Sequence, residues 1–334
     1  MKRGLLWTGA GVVLLLAVAE VGLRVGLGLG HPPLMQKDPD IGYLFVADQD
    51  LTRFGNHVAI NSFHQRSPQV AETSSPEVPR IFVIGDSITF GGVQADQSET
   101  FTSLLASDLA AKGKTVEVLN ASAGSWSIEN EKAYLQRFGT FGADIVVLEI
   151  GSDDLLQRKS ISDVVGVDPS YPDRDPPSAL TELYVRYLEP RLFGAPPPMV
   201  SPPGTDAEKE VQFQRNMAAL DDNIALAQAA GAKVILLHVP EQSEVEAGSQ
   251  DRRYETFRPR FLDVAARRGV EVIDLSKEWR DRQDITTYYR DGTHPTVPGN
   301  HVIADRLFEA IAPNLDAWHQ ESVGRRAAAS VTRS

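Results

Sequence analysis

The chain of 334 residues contains no cysteine. Disulfides, thiolate metal sites and a cysteine nucleophile are therefore excluded, and any nucleophile has to be an oxygen. Positive charge is also short. Lys and Arg number 33 against 45 Asp and Glu, a formal net charge of −12, and the basic residues form no stripe. A nucleic-acid binder needs a basic surface to displace counterions, so no nucleic-acid partner is expected. Long apolar runs are scarce as well: the mean hydropathy of −0.21 rules out a multi-span membrane protein but leaves room for one span. What is present is enough for a core. With 42% hydrophobic and 23% charged residues, global disorder is excluded, and the length allows one large domain or two average ones.

The single long apolar run lies at the N-terminus. Met1-Lys2-Arg3 is a short positive start, Leu5 to Ala19 carries no charge, and Val25 to Leu29 resumes the run after Glu20 and Arg24. Two readings compete. Ala17-Val18-Ala19 has the form of a signal-peptide cleavage site. Alternatively, Leu5–Leu29 is a retained anchor long enough for a hydrocarbon core of about 30 Å. In that case Glu20 and Arg24, one helical turn apart, pair near the interface. The anchor is the favoured reading. Lys2 and Arg3 would keep the N-terminus cytoplasmic, so the cytoplasmic membrane becomes a partner and the rest of the chain lies on the periplasmic side. Cleavage after Ala19 would release it instead.

Beyond residue 30 the chain divides into three parts. A turn-rich stretch with strands near Tyr43–Phe45 and Val58–Ile60 makes a β-rich extension and linker over 31–77. A main domain is expected over 78–317 and a loose tail over 318–334. In the main domain, strands expected at Arg80–Ile84, Val116–Leu119, Ile145–Ile150, Lys233–Val239 and Val270–Asp274 alternate with helical patterns. The helical patterns are Thr100–Ala111, Glu129–Phe138, Glu208–Ala230, Tyr254–Arg268 and Pro298–Ile311. Several strand runs are continuously apolar, as in strands buried on both faces of a parallel sheet. The alternation predicts an α/β three-layer α/β/α sandwich, whose ligands bind at the carboxyl ends of the strands. Residues 151–206 break the rhythm with ten of the 21 prolines. We expect them to form an insertion over the mouth of the site, with a short helix near Ala179–Tyr187.

Chemistry is expected where strands end. Ile84-Gly85-Asp86-Ser87 puts a serine on a tight turn past the first buried strand, either as a nucleophile or merely as a helix N-cap. Far away, Asp291-Gly-Thr-His294 sets a carboxylate three residues from an imidazole. That spacing lets the carboxylate accept Nδ1–H and leaves Nε2 free to take a hydroxyl proton. A cap with a satisfied histidine, or two metal ligands, would use the same spacing. No ligand-spaced cluster surrounds it, so neither metal nor cofactor is expected.

Together these two motifs resemble the SGNH or GDSL hydrolase superfamily. The resemblance implies a flavodoxin-like five-stranded parallel sheet and an esterase triad. Ser87 would then be nucleophile, His294 base and Asp291 its orienter, and Ser87 N–H the first oxyanion donor. The second donor would be Gly124, or Ser125 after a one-residue shift of register. The family's third donor is an Asn, and here Asp153 stands in its place. An ionised carboxylate cannot donate a hydrogen bond. Either Asp153 is protonated, or another amide such as Asn120 or Asn130 substitutes, or the enzyme is weak or retired. His301 fits the end of the second motif as a structural residue. Asn61-Ser-x-x-x-Arg66 resembles a segment that precedes the hydrolase domain in membrane-tethered bacterial members, with Arg66 structural. Trp126 either stacks on a sugar at the mouth or fills the helix–sheet gap.

The expected activity is an extracytoplasmic serine esterase removing a small acyl group, acetyl by preference, from a carbohydrate. The expected partners are a small acyl ester or an acylated glycan. Transfer of the acyl group to a sugar hydroxyl, and a non-catalytic glycan-binding or assembly protein that keeps the fold, are the alternatives.

Overall fold

The computed structural model describes residues 2–75, 77–194, 197–246, 248, 253–280 and 282–331. Helix α1 (Lys2–Leu27) is continuous and carries an exposed apolar stretch, Trp7–Leu27, of mean hydropathy 2.0. Two antiparallel hairpins follow, β1 (Met35–Asp38) with β2 (Gly42–Phe45) and β3 (Gln49–Arg53) with β4 (Asn56–Ile60). β2 and β4 are the two short strands expected in the extension, and β1 and β3 are the partners that pair with them.

The main sheet has five parallel strands: β5 (Arg80–Gly85), β6 (Glu117–Ser122), β7 (Ile145–Gly151), β8 (Lys233–Val239) and β9 (Glu271–Asp274). Their order is β6-β5-β7-β8-β9, the flavodoxin-like arrangement. Strands β5 and β7 are buried along their whole length, which is why they read as unbroken apolar runs. Side chains alternate between two cores. Phe82, Ile84, Val146 and Leu148 face α3 (Ile128–Phe138), α4 (Asp206–Ala229) and α5 (Arg258–Arg267). Ile81, Val83, Val147 and Ile235 face α2 (Phe101–Ala111) and α6 (Val297–Val331). The α/β/α sandwich predicted from alternation is the observed one.

Strand β6 runs three residues past the expected Leu119, to Ser122, and two helix boundaries differ from expectation for identifiable reasons. Helix α5 starts at Arg258, not Tyr254, because Pro259 is compatible with a helix only in its first turn. Helix α6 runs to Val331, through Pro313 and past the point where a loose tail was expected. Its alanine-rich end has high intrinsic helix propensity, which outweighs one proline.

The extension and the proline-rich insertion are tied to each other. The insertion carries three consecutive helical segments, Ala179–Glu182, Leu183–Leu188 and Glu189–Phe193. Glu182 is buried and accepts from Gly30 N at 2.5 Å and from the guanidinium of Arg53, itself fully buried. Arg53 also donates to Gly28 O, and Phe54 N donates to Leu27 O at 2.9 Å, so the end of α1 is stitched to the β3–β4 hairpin. Removing one partner of a buried ion pair leaves the other charge unpaired. Glu182→Ala should therefore lose about 3–5 kcal/mol of stability in urea denaturation of the full chain. A loss below about 1 kcal/mol would mean that Arg53 is satisfied without it.

Candidate active site

Strand β5 delivers Ser87 to the carboxyl edge of the sheet. The chain turns at Gly85, where an added Cβ would come within 2.6 Å of Glu149 Oε2, so the corner requires glycine. Asp86 then caps the single helical turn Ser87–Phe90, its Oδ1 accepting from Ile88 N at 2.7 Å. The capping task falls to Asp86, which leaves the Ser87 hydroxyl uncommitted to the backbone. Ser87 Oγ lies 2.8 Å from His294 Nε2 and 3.3 Å from Asp86 Oδ2.

His294 arrives on a loop closed by a bridge between Tyr289 and Pro295 and by Arg290 N donating to His294 O at 2.8 Å. Tyr289 OH, donating to Pro240 O, and Gln242 N, donating to Gly292 O, fasten this loop to the end of β8. Asp291 Oδ1 accepts from His294 Nδ1 at 2.8 Å and from the His294 amide at 3.0 Å. With the proton on Nδ1, Nε2 is the acceptor facing Ser87. Burial raises the Asp291 carboxyl, but the two bonds from His294 and the nearby Arg290 charge outweigh it and hold it below the ordinary range. The three side chains assigned from two distant motifs are thus hydrogen-bonded in series.

Ser87 and His294 open into a cavity of about 440 Å³. Gly124, Ser125 and Asp153 line it, as do Pro33, Met35 and Phe45 from the extension and Tyr171 and Arg186 from the insertion. The insertion does reach the mouth. Gly124 has open space where a Cβ would be, and its carbonyl is fixed by Tyr43 OH at 2.6 Å. Ser125 adopts a left-handed φ of 59°, and its hydroxyl accepts from Tyr171 OH at 3.0 Å.

The floor of this cavity is a cluster of acids. Carboxylate oxygens of Asp86, Asp153 and Asp154 lie within 4.8 Å of one another. Glu131 and Glu149 lie buried behind them, and Glu149 Oε2 accepts from Thr89 Oγ1 at 2.9 Å. Burial is the dominant cause that pushes all five carboxyls up, and the charge of Asp86 adds to it at the other four. Asp86 rises to about 6 and Asp153 to about 7. Asp153 Oδ1 is shielded from water and has no hydrogen-bond partner among the described residues. An ionised oxygen in that position would be costly, and a protonated carboxyl is far less so.

The amide substitutes considered for Asp153 fail. Asn120 Nδ2 is spent on Thr89 O at 2.7 Å and Thr102 Oγ1 at 3.1 Å. Asn130 Nδ2 is spent on Ile41 O and Ser160 O while its Oδ1 caps α3. Trp126 is buried, with its indole N–H on Tyr43 O at 3.1 Å, so it fills the gap behind the mouth and cannot stack on a ligand there. Arg66 is structural as expected. It is buried and donates to Phe90 O and Gly92 O, both at 2.6 Å, and to Ala95 O at 2.7 Å, holding the wall of the cavity next to Ser87. Burial pushes its guanidinium down to about 10. His301 is exposed on α6. The sequence offered no sign that Arg186, Tyr171 and Pro33 would meet at the mouth. Glu149 did leave a trace, as a lone acid inside an apolar strand.

A three-layer α/β/α fold with a serine, a histidine and an aspartate bonded in series at the carboxyl edge of its sheet fits an enzyme that cleaves an ester bond. The chain belongs to the GDSL-like lipase/acylhydrolase family, whose sequence profile matches residues 83–302. No curated protein matches it. Among solved structures it is similar to TesA, with 20% identity over 70% of this chain and 98% of that one, at a TM-score of 0.46. It is similar to the acetyl xylan esterase AlAXEase, with 19% identity, 70% and 99% coverage and a TM-score of 0.46. A lipase/acylhydrolase from Enterococcus faecalis gives 19% identity, 71% and 97% coverage and a TM-score of 0.46.

The raised carboxyls have a thermodynamic sign. The folded state holds protons on Asp86 and Asp153 that the unfolded chain releases near the ordinary carboxyl range. Stability from this source is complete below that range and is lost as pH rises through about 6 and about 7. The melting temperature should therefore fall between about pH 5 and about pH 8, and Asp153→Asn should shrink the fall. A pH-independent melting temperature in the wild type would contradict the cluster's assignment.

Proposed function

We propose that this ester hydrolase is an extracytoplasmic serine esterase that removes a small acyl group, acetyl by preference, from a carbohydrate. The series Ser87–His294–Asp291, with Ser87 Oγ and His294 Nε2 at 2.8 Å, carries the reading. His294 takes the Ser87 proton as Oγ attacks the ester carbonyl carbon. The tetrahedral oxyanion is met by Ser87 N–H, by Gly124 N–H and by Asp153 in its neutral form. As the intermediate collapses, His294 returns the proton to the departing alcohol oxygen, leaving the acyl group on Ser87. A water, deprotonated by His294, then releases the acid and restores Ser87. The mixed lining supports a small acyl group on a polyhydroxylated alcohol: Phe45 and Phe90 are apolar, while Gln94, Gln157 and Ser170 offer hydrogen bonds. An N-terminal helix of membrane-crossing length and composition supports the location.

Asp153 gives the proposal its own signature. A neutral carboxyl donates a hydrogen bond, as the amide at that position in the family would, and an ionised one repels the oxyanion. Asp153 must be protonated, so activity falls as pH passes about 7.

Two measurements test this. Ser87→Ala should abolish hydrolysis of p-nitrophenyl acetate and of an acetylated sugar, and an unchanged rate would remove the nucleophile. In a pH profile of kcat/KM, Asp153→Asn should keep wild-type activity on the acid side and lose the alkaline decline. Asp153→Ala should lose about 10²–10³ in kcat on the acid side, the usual effect of deleting one oxyanion donor, and the loss should shrink as pH passes about 7. If all three proteins share one profile, Asp153 is not a donor.

A further inference from the structure

Helix α1 and the insertion meet at a defined height. The carboxylate of Glu20 accepts from Ala179 N at 2.9 Å and from Leu180 N at 3.0 Å, so a residue of α1 caps the first helical segment of the insertion. Glu20 also holds Arg24 Nε at 2.6 Å. From Glu20 to the end of α1 at Leu27 is about 10 Å at 1.5 Å per residue. The insertion is therefore fastened on the membrane side of the point where α1 ends, not beyond it.

Span length turns that contact into a constraint. The charge-free stretch before Glu20, Leu5–Ala19, has 15 residues and is about 22 Å long as a helix. A hydrocarbon core is about 30 Å thick. If α1 spans, the apolar layer has to reach the level of Glu20, and tilting only increases the shortfall. The segment fastened at that level is then carried to the lipid boundary.

The insertion is shaped for such a place. Its residues Leu180, Tyr184, Leu188 and Leu192 recur at spacing four along the helical run 179–193. Tyr184 is 46% exposed, Leu188 40%, Leu192 67% and the adjoining Phe193 76%. Its other side is occupied: Glu182 is buried with Arg53, and Tyr187 meets Phe54 edge-on at 5.8 Å. The same run carries Arg186, which lines the cavity of Ser87, and Pro33 from the chain leaving α1 lines it too.

We propose that the exposed face formed by Tyr184, Leu188, Leu192 and Phe193 lies in the interfacial layer of the bilayer that α1 spans, so that the mouth beside Ser87 opens along the membrane surface. The proposal rests on α1 being a retained anchor. The bilayer is the fitting occupant because this face is fastened at Glu20 to the helix that crosses it, and an apolar stripe opposite a polar docked side suits an interface-lying helix. Esters borne by membrane-associated molecules would then reach the site more readily than freely diffusing ones.

The chain has no cysteine, so single cysteines carry a fluorophore cleanly. Val18→Cys, Leu192→Cys, Phe193→Cys and, as an exposed reference, Lys112→Cys can be labelled in the full chain and reconstituted in phosphatidylethanolamine and phosphatidylglycerol vesicles. Labels at 18, 192 and 193 should shift to the blue and lose more than half their intensity to doxyl-labelled lipid, while the label at 112 should not. Quenching at 18 with labels at 192 and 193 behaving like 112 would overturn the docking but keep the anchor. No quenching at 18 would overturn the anchor, and the docking with it. Leu192→Glu combined with Phe193→Glu should leave hydrolysis of p-nitrophenyl acetate unchanged and cut hydrolysis of a lipid-tailed acetate ester in the vesicles several-fold. Equal rates on the vesicle ester would overturn the claim about the mouth.

Discussion

The contact between Ser87 Oγ and His294 Nε2 joins residues 207 apart in the chain. For a gap of 2.8 Å to close, β5 must end at Gly85, the turn after it must be capped by Asp86, and the loop 289–295 must stand over that edge. Each condition draws on a different part of the fold. The parallel register of β5 between β6 and β7 sets the first. The bonds from that loop to Pro240, and from Gln242 to the loop, set the third by way of β8. The helices packed on both faces keep the sheet from adjusting. A chemical step that tolerates little misplacement is thereby supported by elements that are individually remote from it.

Beneath that contact the molecule accepts an electrostatic cost. Five carboxyl groups are buried behind the serine, and Arg66, the buried cation closest to it in the extension, is turned toward backbone carbonyls on the neighbouring wall. Protons take the place of cations, and the cluster stays near neutrality as long as Asp86 and Asp153 hold theirs. Asp153, standing where the resemblance implies an asparagine, is pushed toward its neutral form first by burial and then by the charge of neighbouring acids.

Legibility from the sequence followed the range of the interactions involved. The β5 and β7 strands could be read because burial on both faces leaves an unbroken apolar run, and the Asp291–His294 pair because its bond is local. Ser87 was found from its place after a strand. The fate of Asn120 and Asn130 could not be read, since their amides are consumed by residues up to 89 positions away. Trp126 likewise depended on Tyr43, a partner in the extension. Glu149, a lone acid in the strand that leads to Asp153, could be read as its neighbour, but nothing local reveals that Asp86 and Glu131 join them. The tail was expected loose because its polar residues offer no apolar face, while its alanine-rich composition favours the helix that is observed.

Arg66 lies before residue 83, where likeness to the family begins. So do Pro33, Met35 and Phe45, which line the same cavity. What is inherited in common with the relatives is therefore smaller than what has to fold together. Ser87, Asp291 and His294 lie inside the stretch that the family profile matches, whereas part of the wall beside them is supplied by residues that precede it. A chain cut to the matched residues would keep Ser87, Asp291 and His294 but lose Pro33, Met35 and Phe45, and with them one side of the chamber into which the serine opens.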